Sequence, residues 1–232
     1  MRLIYSGIAL FLISLTTNAQ TSLNPEILSS VQIRRLLPDS IKRSFNITQP
    51  VTRVYHYSDR SGQYYCVLTE NLDSITPTGD SVHSKIRAIN LRSEKGNLSR
   101  IWELNDFTEH RSYEQSIWFW TRYFEFKDYD KDSLVEPLVV YGTLGLNKFD
   151  DGRIKFLVYY KGQKIGIRYQ GCEEDCRSIT IDKAFYTLPE NLQSAIRQKM
   201  HQLEENNSII YPYKWEEGFK KKKLYIGDTG MN

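Results

Sequence analysis

The strongest constraint in this sequence is the way apolar and aromatic residues recur after Pro50, in strand-like stretches broken by turns of only a few residues. Val51 to Tyr57 and Gln63 to Glu70 are rich in tyrosine and valine, and Ser58 to Gly62 joins them with a glycine available for a positive φ. Lys85 to Arg92 and Leu98 to Leu104 form a second pair around Glu94, Lys95, Gly96 and Asn97. Ile117 to Phe126 is apolar on both faces, the pattern of a central strand, and Pro137 to Thr143 is its expected partner. Arg153 to Tyr160 and Lys164 to Gln170 make a third hairpin, turning at Lys161, Gly162 and Gln163, with a short strand near Ile179 to Ile181. Connections this short make neighbouring strands antiparallel.

Helical signals flank this region. Asn24, Pro25 and Glu26 predict a helix start, with Ile27, Leu28, Val31 and Leu36 along one side, and Asp39 to Phe45 a second turn. Pro189 opens the best helix, 189–205, whose Leu192, Ala195, Ile196, Lys199, Met200 and Leu203 recur at spacings of three and four. The expected fold is therefore mainly β (α+β). It is an antiparallel meander sheet or two-layer sandwich of about eight strands, with an N-terminal helical segment and the C-terminal helix packed on it. No blade-length repeat supports a propeller.

The first nineteen residues have a different character. Arg2 precedes a mostly apolar run, Leu3 to Leu15, and Thr17 and Ala19 suit the small-residue positions of a secretory cleavage site. Residues 1–19 are thus expected to be a signal peptide and 20–232 a single β-rich domain. The apolar run is short for a membrane span, and no later stretch is apolar enough to cross a bilayer. The expected address is exported, in the periplasm or at the cell surface. Cys172 and Cys176 fit a small disulfide loop in an oxidising compartment, with a free or metal-binding pair as the alternative. Glu173, Glu174 and Asp175 between them argue against a redox-active thiolate. Cys66, in a strand pattern, reads as a buried small hydrophobe.

The sharpest chemical constellation is Asp128-Tyr129-Asp130-Lys131-Asp132-Ser133-Leu134-Val135-Glu136. Carboxylates at loop positions 1, 3, 5 and 9, with the Leu134 carbonyl at position 7, match the oxygen-rich spacing of calcium loops. Ser133 stands where such loops carry glycine, and no bidentate glutamate occupies position 12. Two readings compete: a calcium loop of structural role, ligated by Asp128, Asp130, Asp132, Leu134 and Glu136, or an acidic turn whose charges are solvated. Asp150, Asp151 and Gly152 read as a turn. Trp118 and Trp120 share a strand face, as core residues or as a stacking platform for sugar rings. Lys220 to Lys223 read as a solvated end, with contact to an anionic surface as the sharper alternative.

Negative signs narrow the function. Lysine plus arginine at 31 against 28 acids gives +3, too balanced for a nucleic-acid protein. There is no nucleophile elbow, phosphate loop, zinc-protease helix or dinucleotide fingerprint, and the four histidines are scattered. Glu103, Glu109, Glu125 and Asp128 could supply a glycosidase pair, but no spacing selects two of them.

Arg53 to Gly62 leading into Val67-Leu68-Thr69-Glu70, the segment Phe124 to Asp130, and the close through Leu188-Pro189, the helix, Pro212 and Trp215 resemble a family of small exported bacterial proteins labelled surface polysaccharide biosynthesis proteins. The resemblance spans about 37–223. It implies a part in making or displaying a cell-surface polysaccharide and brings no catalytic residues with it. The expected function is a non-enzymatic envelope module, binding or accessory, whose partner is an envelope component or polysaccharide. The alternatives are a glycan-acting enzyme with paired carboxylates, or a secreted inhibitor or interaction protein.

Overall fold

The structure, a computed structural model, describes residues 25–109, 113–145, 147, 151–173 and 176–228. The expected signal segment 1–19, together with Asn24, His110, Asp150, Glu174 and Asp175, lies outside the described residues. The protein is mainly β and its strand pairs are antiparallel. One sheet holds, in order, β1 (Glu26–Ile27), β2 (Val51–Asp59), β3 (Gly62–Glu70), β6 (Lys85–Glu94) and β7 (Asn97–Phe107). The other runs β14 (Tyr225–Gly227), β13 (Ser178–Ile181), β12 (Gln163–Gln170), β11 (Arg153–Tyr160), β10 (Glu136–Gly145) and β8 (Glu114–Phe119), with β9 (Glu125–Lys127) also on β10. A small hairpin, β4 (Ser74–Ile75) with β5 (Ser81–Val82), is inserted between β3 and β6. The strands beyond the eight or so expected are mostly pieces of two or three residues.

Side-chain period two divides the core into three layers. Tyr55, Tyr57, Tyr64, Cys66 and Leu68 of the first sheet meet Ile117, Phe119, Val139, Tyr141, Leu157 and Tyr159 of the second, so the sheets form a sandwich. Their neighbours Val54, Val67, Ile89 and Leu91 face the other way, against Leu28, Leu37 and Ile47 of the N-terminal segment. Leu138, Val140, Ile154, Phe156 and Val158 likewise turn outward to α3 (Glu190–Glu205), whose Leu192, Ile196, Met200 and Leu203 are buried against them. Helices therefore cover both outer faces of the sandwich. Each of those four α3 side chains contributes about 1.5–3 kcal/mol of burial. The two-residue turns Lys95-Gly96 and Lys161-Gly162 have positive φ at both positions, the geometry that matches strand twist in a tight hairpin.

Two expectations need correction. The N-terminal helix does not start at Pro25. Glu26 and Ile27 instead pair with His56 and Tyr55, and α1 (Ser30–Leu36) begins after Ser29, which forms a reciprocal capping box with Gln32. Ile27 and Val31 consequently face solvent. A second helix, α2 (Asp39–Ser44), follows as expected. Ile117 to Phe126 is not a central strand. It is an edge segment interrupted by a 3-10 turn, Thr121–Tyr123, with β8 and β9 pairing in turn along β10. It is apolar on both faces because the other sheet covers one side and the α3 layer the other. Lys220 to Lys223 are exposed, as expected of a solvated end, and follow from α4 (Trp215–Lys220), which buries Trp215 and Phe219.

Gly142 on β10 makes this packing possible. A Cβ there would lie 2.6 Å from the Arg153 carbonyl oxygen and 3.2 Å from the Trp120 ring. Gly142→Ala should cost about 1–3 kcal/mol by overpacking, read as a lowered thermal midpoint.

A buried charge network joins the sheets at one end. Arg153 donates from Nε to Glu114 at 2.5 Å, from Nη1 to Asp106 at 3.2 Å, and from Nη2 to the Phe107 carbonyl. Thr143 donates to Glu114 at 3.0 Å, and Lys155 reaches Asp106 at 2.7 Å. Asp106 belongs to the first sheet, while Glu114, Thr143, Arg153 and Lys155 belong to the second.

Candidate functional site

The acidic stretch Asp128 to Glu136 links β9 to β10 at the opposite end of β10 from the Arg153 network. The short polar side chains shape their own loop. Asp128 accepts from the amides of Asp132 at 3.1 Å and Ser133 at 2.8 Å, and Asp132 accepts from the Leu134 amide at 2.9 Å. Lys131 and Ser133 both adopt left-handed φ, +63° and +68°. Ser133 thus takes the backbone conformation that glycine takes in calcium loops, which answers the departure noted at that position. Leu134, expected to offer its carbonyl, is held at the loop by its amide.

Asp128, Asp130, Asp132 and Glu136 each place a carboxylate oxygen so that all lie within 4.8 Å of one another. The structure therefore brings together the four carboxylates picked out by spacing. The electrostatics are lopsided. Glu136 is only 3% exposed, and its side chain accepts the Tyr129 amide at 2.8 Å. Burial pushes its carboxyl up to about 7, only partly opposed by that amide, and the charges of Asp130, Asp128 and Asp132 add to the rise. Burial also pushes Asp130 up, but the Tyr160 hydroxyl at 2.9 Å, the Asp132 amide and Lys161 together hold it below the usual carboxylate range. The Lys161 ammonium lies 3.4 Å from Asp130 and 3.8 Å from Asp132, and it is more than half exposed. One exposed lysine against four clustered carboxylates leaves negative charge uncompensated. An all-oxygen donor set of this kind could hold a hard metal ion, and Glu136 would then ionise at lower pH.

A raised carboxyl beside a lowered one is also what glycoside hydrolysis requires. The cavity next to Glu136 holds about 160 Å³, below the usual size of small-molecule sites. The other carboxylates considered are dispersed. Glu103 is held down to about 2 first by the Arg87 hydrogen bond, against burial, with Asn105 and Arg100 adding to it. Glu125 is tied to Lys199 and Tyr129, and Glu109 lies 3.8 Å from Arg153.

The loop sits at a junction. The Val135 amide donates to Asp59 at 3.1 Å and the Arg60 amide to the Ser133 carbonyl at 3.0 Å, both from the β2–β3 turn of the first sheet. Tyr160 and Lys161 reach it from the β11–β12 turn of the second, and Asn191 of α3 approaches the Tyr129 carbonyl at 3.4 Å. A cation there would tie both sheets and the C-terminal helix to one point.

Cys172 and Cys176 form a disulfide, and Cys66 is a fully buried free thiol that burial pushes well above its ordinary pKa. Asp151 accepts the Asn147 amide at 3.2 Å, as a turn residue does. Trp102 stacks on Tyr159 across the sheets at 3.8 Å. Trp120 is core, whereas Trp118 lines a cleft of about 720 Å³ along the outer edge of β8. Arg53, Glu70, Asp80, His83 and Gln115 share that cleft. Reasoning from local spacing missed it, because its walls come from β2, β3, the β4–β5 hairpin and β8. No helix among the described residues is long and apolar enough to cross a membrane. No family model, curated protein or solved structure matches the chain.

Proposed function

We propose that this is an exported cell-envelope protein, a non-enzymatic binding or accessory module whose sandwich is braced by calcium, serving surface polysaccharide biosynthesis. The observation that carries the reading is the convergence of Asp128, Asp130, Asp132 and Glu136 at the point where both sheets and α3 meet. Carboxylates in a loop that turns through left-handed backbone at position 6 favour a hard, flexibly coordinated cation such as calcium. The Cys172–Cys176 disulfide suits an oxidising compartment. The part in polysaccharide biosynthesis rests on the resemblance of the strand, loop and C-terminal segments.

Thermal unfolding in millimolar calcium and in chelator tests the brace. Calcium at a hundredfold excess over its Kd should raise Tm by roughly 5–10 °C, and Asp130→Asn should remove most of that rise. An unchanged Tm would reduce the loop to a solvated turn. Co-sedimentation of the calcium-loaded protein with purified bacterial envelopes tests the binding role, and failure to pellet would remove it.

A further inference from the structure

We infer that the cleft beside β8 is a saccharide-binding site, with Trp118 as the wall on which a sugar ring stacks and Arg53, Glu70 and Gln115 as the groups that take its hydroxyls. The inference deepens the binding role proposed above and rests on it.

At about 720 Å³ the cleft has the size of small-molecule sites, room for several sugar rings. Its indole wall is reinforced, since Trp120 lies behind Trp118 at 5.9 Å with the rings inclined by 28°. The polar groups around it retain bonding capacity. Arg53 makes one long bond, from Nη1 to the Tyr55 hydroxyl at 3.4 Å. Glu70 uses Oε1 to accept the Phe119 amide at 2.9 Å, leaving Oε2. His83 pairs through Nδ1 with the Asn71 carbonyl, leaving Nε2, and Gln115 is exposed. A guanidinium, a carboxylate and an amide are planar groups that can engage neighbouring hydroxyls in pairs. An aromatic face beside them suits a ring with an apolar C–H surface and a polar rim.

The same residues disfavour other ligands. Glu70 and Asp80 beside Arg53 oppose a simple anion such as phosphate. Addition of a peptide strand to the edge of β8 is blocked, because the outward amides of Ile117 and Phe119 are already taken by the His83 carbonyl at 2.8 Å and by Glu70.

The test uses the calcium-loaded protein on immobilised capsular and O-antigen polysaccharides and on oligosaccharides of chitin, mannan and polygalacturonate. Phosphatidylglycerol vesicles and inorganic phosphate serve as comparison probes. Binding to at least one glycan is expected, with a loss of tenfold or more in Trp118→Ala and a smaller loss in Arg53→Gln and Gln115→Ala. Tyr213→Ala, which removes an exposed aromatic outside the cleft, should bind as the parent does. Gln115 is a surface side chain, so its variant keeps the test sound if Trp118→Ala unfolds. Glycan binding undiminished in the folded cleft variants would overturn the site while sparing the envelope role. Protein that pellets with envelopes yet binds no glycan, or binds only vesicles or phosphate, would overturn the saccharide assignment alone. Protein that neither pellets nor binds a glycan would overturn both.

Discussion

Replacing Arg153 by alanine should lower the stability of this protein by about 3–5 kcal/mol, the cost of leaving buried charges without their partner. The Arg153 side chain is 7% exposed, and two of its three carboxylate partners, Glu114 and Asp106, are almost as deeply buried, while Glu109 is exposed. Arg153→Met should be nearly as damaging, since it restores volume but neutralises neither acid. Adding Glu114→Gln to Arg153→Met should recover part of the loss, because a neutral amide removes one stranded charge. Urea unfolding of the three variants measures this directly. A loss below about 1 kcal/mol for Arg153→Ala would mean that the network is solvated rather than a junction between sheets.

The second large effect is a stability that declines with rising pH when no divalent cation is present. The unfolded chain releases the Glu136 proton near the ordinary value of 4.5, whereas burial and three neighbouring aspartates keep it on the folded protein until about pH 7. Between those values the folded state holds more protons, so raising the pH favours unfolding. The penalty is absent below about 4.5 and complete above about 7, on the order of 3 kcal/mol. Glu103, Asp106, Glu125, Asp130 and Asp228 act in the opposite sense at lower pH. Their depressed values give stability that is present above the ordinary carboxylate range and lost as pH falls through them. Stability in chelator should therefore peak near pH 4.5–5. Calcium should abolish the decline toward pH 7 and stabilise more at pH 7.5 than at pH 5, because it competes with the Glu136 proton. Glu136→Gln in chelator should be flat across the same window. Denaturant titrations at the two pH values decide it, and a flat profile for the parent protein would contradict the buried, crowded setting of Glu136.

Much of this architecture is legible in the residues taken in order. Tyr64, Cys66 and Leu68 alternate with Tyr65 and Val67, and the glycines at 96 and 162 mark the tight turns. The C-terminal helix shows in its spacing of three and four. The acid cluster is legible because its four carboxylates belong to one short loop whose backbone folds them inward. Less legible is whatever depends on distant neighbours. Pro25 resembles a helix start, but pairing with Tyr55 and His56 claims Glu26 and Ile27, and the cap moves to Ser29. Trp120 to Phe124 leaves the strand path although its residues are as apolar as those around them. Lys161 and Tyr160 join the acid cluster from another hairpin. The cleft beside β8 gathers Arg53, Glu70 and Gln115 across more than sixty residues of chain.

Cys66 is wholly enclosed between the two sheets, while the other two cysteines are joined to each other. An odd thiol in an oxidising medium is a hazard only when the chain opens, since the folded molecule presents neither a thiolate nor a path to one. Disulfide scrambling and cross-linked dimers would then record how often the sandwich comes apart. In such a medium every feature that fastens the two sheets, from Arg153 at one end to the acid loop at the other, would double as protection against covalent error.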